Sequence, residues 1–195
     1  MENLRQCLCT AIEENVPGDF IETGVWRGGA CILMRGALKA YGIEDRTVWV
    51  ADSFAGLPKP NAKKYKADRG DDHHQYEVLA VSQEDVAENF RRYDLLDDQV
   101  QFLKGWFSET LPNAPIKELA ILRLDGDMYE STMDAMTALY PKVSKSGFVI
   151  VDDYHAVPGC KKAVHDYLES ENHTVQIQEI DGTGVFWRVA KVGLG

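Results

Sequence analysis

The fold is decided by a stretch at residues 19–42, which reads DFIETGVWRGGACILMRGALKAYG. Residues 19–23, DFIET, are typical of a short strand, and residues 24–29 are rich in glycine. Residues 30–41 place apolar side chains at helical spacing, and Gly42 is a suitable helix end. This order of strand, glycine turn and helix predicts the first part of a parallel βαβ unit.

The same alternation continues along the chain. Further helices are predicted at residues 4–12, 83–93, 129–140 and 161–170, and further strands at residues 47–51, 100–105, 118–125 and 147–151. Ser82, with Asp85 at the capping-box position, should begin the second of these helices. Residues 174–180 and 184–190 look like a closing hairpin. We therefore expect an α/β fold with a mainly parallel sheet, one antiparallel strand and right-handed crossovers.

Composition restricts the classes of function. The 195 residues are most economically one domain, and the formal net charge of -10 argues against a nucleic-acid ligand, because no basic surplus can neutralise phosphates. No signal peptide or membrane-spanning run is visible, and the four cysteines lack structural-zinc spacing. We expect a cytoplasmic protein with reduced thiols and no membrane partner.

One segment lacks the periodicity of its neighbours. Residues 59–80 contain the run KKYKADRGDDHHQYE with little apolar patterning. Loops of this length in compact domains are usually functional or disordered. We expect this segment to be mobile and to become protected when an acceptor binds. His73 and His74 fit either a substrate lid or a solvated loop.

Acidic residues recur at the strand ends. The predicted strands end, in chain order, near Glu22, Asp52, Gly105, Asp125 and the pair Asp152-Asp153. Ligands of open parallel sheets bind beyond the carboxyl ends of the strands. Such regular placement of acids predicts one binding site at that edge.

The first strands favour a particular cofactor. Gly24, Gly28 and Gly29 depart from the dinucleotide spacing G-x-G-x-x-G, and on their own they also fit a simple tight turn. Asp52 follows Glu22 by 30 residues (52 - 22), where an acid commonly binds ribose hydroxyls. A ligand with a ribose, an ammonium and a positive centre suits these acids, and S-adenosylmethionine is such a ligand. Flanking residues complete the predicted cofactor set: Thr23, Ser53, Gly105, and Trp106 and Phe107, which fit either an adenine site or the core.

The last strands favour a metal. Asp125 ends the strand before the one that ends at Asp152 and Asp153, so three carboxylates converge if those strands are neighbours. Uncompensated carboxylates repel and raise one another's pKa. Ligation by oxygen alone favours Mg²⁺, or Mn²⁺, over zinc.

Two other functions compete with this interpretation. Asp125-Gly126-Asp127 matches the short D-x-D motif of metal-dependent glycosyltransferases, but that motif explains neither Asp152-Asp153 nor the glycine turn. A degenerate protein that only binds the cofactor, or only interacts with partners, would keep the fold without the chemistry.

The longer motifs resemble a known family. VPGDFIETGVWRGGA, ADSFAGLP, KGWFSETLP, LRLDGDMYEST and VIVDDY are similar to the TylF/NovP-type O-methyltransferases across roughly residues 4–188. The resemblance implies a class I methyltransferase fold with a seven-stranded sheet and helices on both faces. It also implies dependence on S-adenosylmethionine and Mg²⁺, a role in secondary metabolite biosynthesis and a small-molecule acceptor such as a sugar hydroxyl.

The resemblance also assigns roles by position. Glu22 and Gly24 fall in the cofactor loop, Asp52 matches the ribose-binding acid, and Asp125, Asp152 and Asp153 match the metal ligands. Asp127 matches an aspartate proposed as general base, although it could instead cap the following helix; His155 is the second candidate base. Members of the family usually carry a stretch before the first helix that covers the cofactor and contributes to subunit contacts, whereas this chain starts at Met1. A homo-oligomer is compatible with the resemblance.

Overall fold

The protein is described from a computed structural model, which describes residues 1–190. The seven strands are β1 Asp19–Thr23, β2 Val48–Asp52, β3 Val100–Lys104, β4 Leu119–Leu124, β5 Val143–Val151, β6 Gln178–Glu179 and β7 Val185–Arg188. The six α-helices are α1 Glu2–Glu13, α2 Gly29–Tyr41, α3 Gln83–Arg92, α4 Phe107–Thr110, α5 Tyr129–Leu139 and α6 Pro158–Ser170. Five short 3₁₀ turns complete the described elements. Within residues 1–190, none of the helices has the length and apolar character needed to cross a bilayer.

The strands form one sheet in the order β3-β2-β1-β4-β5-β7-β6. The first five strands are parallel to one another, and β7 pairs antiparallel with β5 and with β6. This arrangement confirms the predicted class I methyltransferase fold with its seven-stranded, mainly parallel sheet. The strand order reverses between β1 and β4, which opens a crevice there at the carboxyl ends of the strands.

Alternating side chains give the sheet two apolar faces. Phe20, Val48 and Ile150 pack with α1, α2 and α3, whereas their neighbours Ile21 and Trp49 pack with α5 and α6 on the opposite face. Successive strand residues point to opposite faces, so one strand contributes apolar side chains to both helix layers. The predicted helices on both faces are confirmed.

Some element bounds differ from those predicted. The strand expected over residues 174–180 shrinks to Gln178–Glu179, because Val175 and Ile177 pack against the α5–α6 face without pairing in the sheet. β5 begins at Val143, four residues earlier than expected, and passes through Ser146 at φ +70°. The short helix α4 is not foreseen from the sequence. An alternating apolar pattern predicts which side chains are buried, but it does not show whether the segment is a loop or a strand paired in the sheet.

Two local predictions are confirmed. The Ser82 Oγ accepts a hydrogen bond from the Asp85 N–H at 3.1 Å, and α3 starts at the next residue, Gln83. α2 ends at Tyr41 and is capped by Gly42, whose φ of +66° is the left-handed conformation typical of a glycine after a helix.

Candidate active site

The carboxyl ends of the parallel strands border one large cavity. Its volume is about 570 Å³, within the usual range for small-molecule sites. Because β1 lies beside β4 and β4 beside β5, the turns that follow these three strands meet at one wall. The residues that line the cavity include Gly24, Asp52, Ser53, Gly105, Trp106, Phe107, Asp125, Asp127 and Asp152.

The glycine turn after β1 is closed against the turn after β4. Gly24 has φ +85°, and a Cβ atom there would lie only 1.9 Å from the carbonyl oxygen of Asp125. Glycine is therefore required both for the left-handed backbone and for the close approach. This contact holds the turn after β1 directly against the turn after β4 at the bottom of the cavity.

Asp52 is fixed in orientation at the end of β2. Its Oδ2 accepts a hydrogen bond from the Val25 N–H and its Oδ1 accepts one from the Phe54 N–H, each at 2.7 Å. These backbone donors tie the carboxylate to the glycine turn on one side and to the loop after β2 on the other. The carboxylate is thus held at the cavity wall before any ligand arrives.

The remaining predicted cofactor residues divide into two groups. Ser53, Gly105, Trp106 and Phe107 line the cavity. Glu22 and Thr23 are 2% and 1% exposed and lie beneath its floor, while Gly28 and Gly29 begin α2. None of these last four is among the residues that line the cavity in the described part of the chain.

Arg123 on β4 is a site residue that sequence reasoning missed. Its guanidinium is buried and donates hydrogen bonds to Glu22, Asp125 and Asp152, the last at 2.5 Å. Burial opposes the charge, but the three carboxylates raise the pKa of Arg123. The available signal was a single cation inside the otherwise apolar strand LAILRL, since a lone charge in a buried strand needs partners.

Glu22 is held by Arg123 and by a thiol. Its carboxylate also accepts a hydrogen bond from the Cys31 Sγ at 3.1 Å. Burial raises the pKa of Glu22 to about 7 against the opposing charge of Arg123, and burial together with Glu22 raises the pKa of the Cys31 thiol. Glu22 therefore faces protein groups and links β1 to β4 under the cavity.

The three acids predicted to bind a metal do come together. Asp125, Asp152 and Asp153 each offer a carboxylate oxygen, and these oxygens lie within 4.8 Å of one another. Burial, then the charges of Asp125, Asp127 and Asp152, raise the pKa of Asp153 to about 8. Burial and the charge of Asp125 also raise the pKa of Asp152. These three side chains offer only oxygen ligands, and Arg123 does not neutralise all of their negative charge. Such a group of ligands fits a hard divalent cation.

Asp127 lines the cavity next to these acids. Burial and the charge of Asp125 raise the pKa of Asp127 to about 6, and the nearby His73 opposes this rise. The backbone of Asp127 is left-handed at φ +56°, and its N–H donates to the Asp153 Oδ2 at 3.3 Å. An aspartate with a pKa of about 6 is mostly ionised at neutral pH and can accept a proton there.

Asp127 does not cap α5. The first N–H groups of that helix, those of Tyr129 and Glu130, donate instead to the two carboxylate oxygens of Asp68, at 2.7 Å and 3.0 Å. The Asp127 side chain is therefore left available to the cavity.

His155 faces away from this arrangement. Its Nε2 lies 2.8 Å from an oxygen of Glu179 on β6, and its N–H donates to the Thr183 carbonyl. Among residues 1–190 it does not line the cavity.

The loop over residues 59–80 is anchored to the rest of the domain at two points. Asp68 reaches α5, and the Trp26 Nε1 donates to the Val78 carbonyl at 2.9 Å. Three 3₁₀ turns form between these anchors, at Lys66–Asp68, His73–Gln75 and Glu77–Leu79. His73 is hydrogen-bonded to Asp71 through Nδ1 at 2.8 Å.

The fold and the cavity define a class I methyltransferase. The chain belongs to the TylF family, because the model described as Macrocin-O-methyltransferase (TylF) matches residues 1–189. It is 58% identical over 189 residues to the demethyldecarbamoylnovobiocin O-methyltransferase of Streptomyces niveus, covering 96% of this chain and 72% of that protein. It is 52% identical over 191 residues to the mycinamicin III 3''-O-methyltransferase of Micromonospora griseorubida, covering 96% and 75%. The chain is accordingly an O-methyltransferase by family.

Solved structures agree with this assignment. The O-methyltransferase NovP superposes with a TM-score of 0.95 at 57% identity, over 97% of this chain and 79% of that chain. The calicheamicin methyltransferase CalS11 superposes with a TM-score of 0.74 at 20% identity, over 95% and 77%, which shows the shared fold alone.

Proposed function

We propose that this protein moves a methyl group from S-adenosylmethionine to a sugar hydroxyl of a glycosylated natural product, and that the reaction depends on Mg²⁺. The proposal rests on the grouping of Asp125, Asp152 and Asp153 beside Asp127; Asp125, Asp127 and Asp152 line the cavity, and Asp153 adjoins Asp127 next to it. The acceptor class is supported by the relatives. One of them, from Streptomyces olivaceus and 54% identical over 189 residues, is named for 4'-O-methylation of a rhamnosyl tetracenomycin C.

The cofactor is proposed to lie over the glycine turn. Gly24 lines the cavity and keeps its turn closed against Asp125, and Asp52 would accept hydrogen bonds from the ribose hydroxyls with the lone pairs that Val25 and Phe54 leave free. Trp106 and Phe107 line the same cavity and would flank the adenine. Glu22 and Thr23 would act indirectly, by shaping the floor, and Gly28 and Gly29 by beginning α2.

The metal is proposed to bind the three carboxylates. The fit is supported by the oxygen-only donor set and by the pKa of Asp153, which burial and then the charges of the neighbouring aspartates raise. Mg²⁺, or Mn²⁺ in its place, would supply Lewis acidity that lowers the pKa of an acceptor hydroxyl and fixes its position. Arg123 would hold Asp125 and Asp152 through one side of each carboxylate.

Asp127 is proposed as the general base. The transfer forms an O–CH₃ bond and breaks the S–CH₃ bond; the bonding electron pair stays on sulfur and leaves a neutral thioether. The hydroxyl proton passes to the Asp127 carboxylate and then to solvent. His155 is the weaker candidate, because it pairs with Glu179 away from the cavity. The proposal includes a cytoplasmic location, which the four free cysteines support.

The test measures binding and transfer separately. Calorimetry with S-adenosylhomocysteine should show binding, and Asp52→Ala should weaken it about 10–100-fold, the effect of losing a hydrogen bond to a charged group. Transfer of labelled methyl to rhamnosyl tetracenomycin or mycinamicin III acceptors should require Mg²⁺ and stop with EDTA. Binding without any transfer would favour a degenerate cofactor-binding protein, and absence of binding would remove the methyltransferase proposal.

A further inference from the structure

The N-terminus of helix α5 is capped by a residue from a distant part of the chain. Its N-cap residue is Met128, whose side chain makes no capping hydrogen bond. Asp68, 61 residues before Tyr129, accepts the N–H of Tyr129 through Oδ1 at 2.7 Å and the N–H of Glu130 through Oδ2 at 3.0 Å. One carboxylate thus satisfies two of the backbone donors that a helix start leaves unpaired.

The Asp68 contact is closely fitted. The residue is only 2% exposed, and a Cβ atom at Gly159, in the first turn of α6, would lie 3.1 Å from both the Asp68 Oδ1 and the Tyr129 nitrogen. The ring of Tyr65 packs against that of Tyr129 at 5.4 Å between centroids. The loop, α5 and α6 therefore meet at Asp68, in space that glycine leaves open.

The segment that Asp68 anchors carries Asp127. Gly126, Asp127 and Met128 form a tight turn between β4 and α5, in which the Met128 N–H donates to the Gly126 carbonyl at 2.6 Å. Asp127 sits there at φ +56°. A left-handed non-glycine residue persists when the structure on both sides fixes it. β4 fixes the turn on one side, and the capped start of α5 fixes it on the other.

We propose that Asp68 is a positioning residue for Asp127, so that the docked loop of residues 59–80 sets the geometry of the reaction. This inference rests on the proposed function, in which Asp127 accepts the proton. The same loop supplies cavity wall through Lys59, Asn61 and Leu79. Docking of the loop through Asp68 therefore completes part of the cavity wall and orders the turn of Asp127 in one step.

The experiment disturbs the contact from both sides. Asp68→Ala removes the cap, Asp68→Asn keeps one acceptor oxygen, and Gly159→Ala pushes a methyl group into the same contact from α6. Asp72→Asn is the control, because Asp72 is an exposed acid of the same loop that contacts Tyr76. Hydrogen exchange of single amides, the affinity for S-adenosylhomocysteine, and kcat and KM are measured for each variant.

We expect Asp68→Ala and Gly159→Ala to speed exchange about tenfold at Tyr129 and Glu130, and also at Met128, whose N–H donates to the Gly126 carbonyl. In these two variants kcat should fall about tenfold or more, while the affinity for S-adenosylhomocysteine changes less than twofold. The kcat of Asp68→Asn should lie between theirs and that of the wild type, and the kcat of Asp72→Asn should equal that of the wild type. Faster exchange confined to Tyr129 and Glu130, or an unchanged kcat, would overturn the proposal.

The exchange at Met128 needs no acceptor. If the wild-type protein transfers no methyl group, the proposed function fails, and the exchange pattern still decides whether Asp68 orders the turn. If Asp68→Ala loses protection equally throughout the sheet, that variant is unfolded and cannot test the contact. If Asp68→Asn keeps the protection of the sheet, its exchange rate at Met128 then decides whether Asp68 orders the turn.

Discussion

The Nη2 atom of Arg123 lies 2.5 Å from the Oδ1 of Asp152, so a cation inside β4 neutralises part of the charge that ends β5. The same guanidinium reaches Glu22 and Asp125. This relationship explains how a buried strand can end in two adjacent aspartates. One buried cation serves three carboxylates, whereas burial and the neighbouring aspartates raise the pKa of Asp153 to about 8.

Removing the Arg123 cation should destabilise the whole site. In Arg123→Met, Glu22 and two aspartates lose their partner, and breaking a buried ion pair costs about 3–5 kcal/mol. We expect Tm to fall by roughly 6–20 °C. Arg123→Lys should recover part of the loss because it keeps the charge. Arg69→Met, at an exposed arginine, is the control, and a Tm of Arg123→Met equal to that of the control would contradict this account.

Replacing one proposed metal ligand should separate chemistry from cofactor binding. Asp153→Asn keeps the shape but removes a charge and weakens a ligand, so we expect Mg²⁺ affinity to fall about 10–100-fold and methyl transfer to collapse with it. The affinity for S-adenosylhomocysteine should stay nearly unchanged, because the glycine turn and Asp52 lie at other strand ends. Asp98→Asn, at an exposed acid before β3, should change neither quantity. Full transfer by Asp153→Asn would refute the metal mechanism.

The metal-free protein should lose stability as pH rises. The pKa of Asp153 is raised from 3.8 to about 8 in the folded protein, so the folded state holds a proton that the unfolded chain releases. The resulting stability is fully present below about pH 4 and is lost as pH rises through 8. Glu22 and Asp127, with pKa values raised to about 7 and about 6, act in the same direction.

Thermal unfolding in EDTA between pH 5 and 8.5 measures this effect. We expect Tm of the wild type to fall over this range and Tm of Asp153→Asn to fall less, ending higher by on the order of 5 °C at pH 8.5. Added Mg²⁺ should raise Tm of the wild type most at high pH. A wild-type Tm that rises with pH in EDTA would show that the charge balance described for the site is wrong.

The closed contact at Gly24 should be intolerant of any side chain. Gly24→Ala places a Cβ atom 1.9 Å from the Asp125 carbonyl oxygen, so the turns after β1 and β4 must separate. We expect at least a tenfold loss of S-adenosylhomocysteine affinity and a clear fall in Tm. Gly42→Ala is the matched control: its φ is also positive, at +66°, but a Cβ there meets nothing within 4 Å. Its cost should stay near 1 kcal/mol. Equal behaviour of the two variants would contradict a closed contact.

Much of the fold follows from local sequence. Residues 19–42 specify strand, turn and helix because glycine positions and apolar spacing act within a few residues of one another. The clustering of Asp125 with Asp152 and Asp153 is predicted on the condition that their strands are neighbours, and the parallel pairing of β4 with β5 meets that condition. The short β6 shows where local sequence fails to predict the fold. Val175 and Ile177 suggest a longer strand, but they are apolar because they pack against the α5–α6 face, and they do not pair in the sheet.

The sequence by itself determined the class I fold, the family and the set of acids at the strand ends, because these depend on patterns and motifs that are continuous in the chain. Only the tertiary structure decided how those acids are compensated and capped. Arg123 meets Glu22 across 101 residues, and Asp68 reaches Tyr129 across 61. Such contacts depend on the distance between elements after folding, and no local pattern encodes that distance.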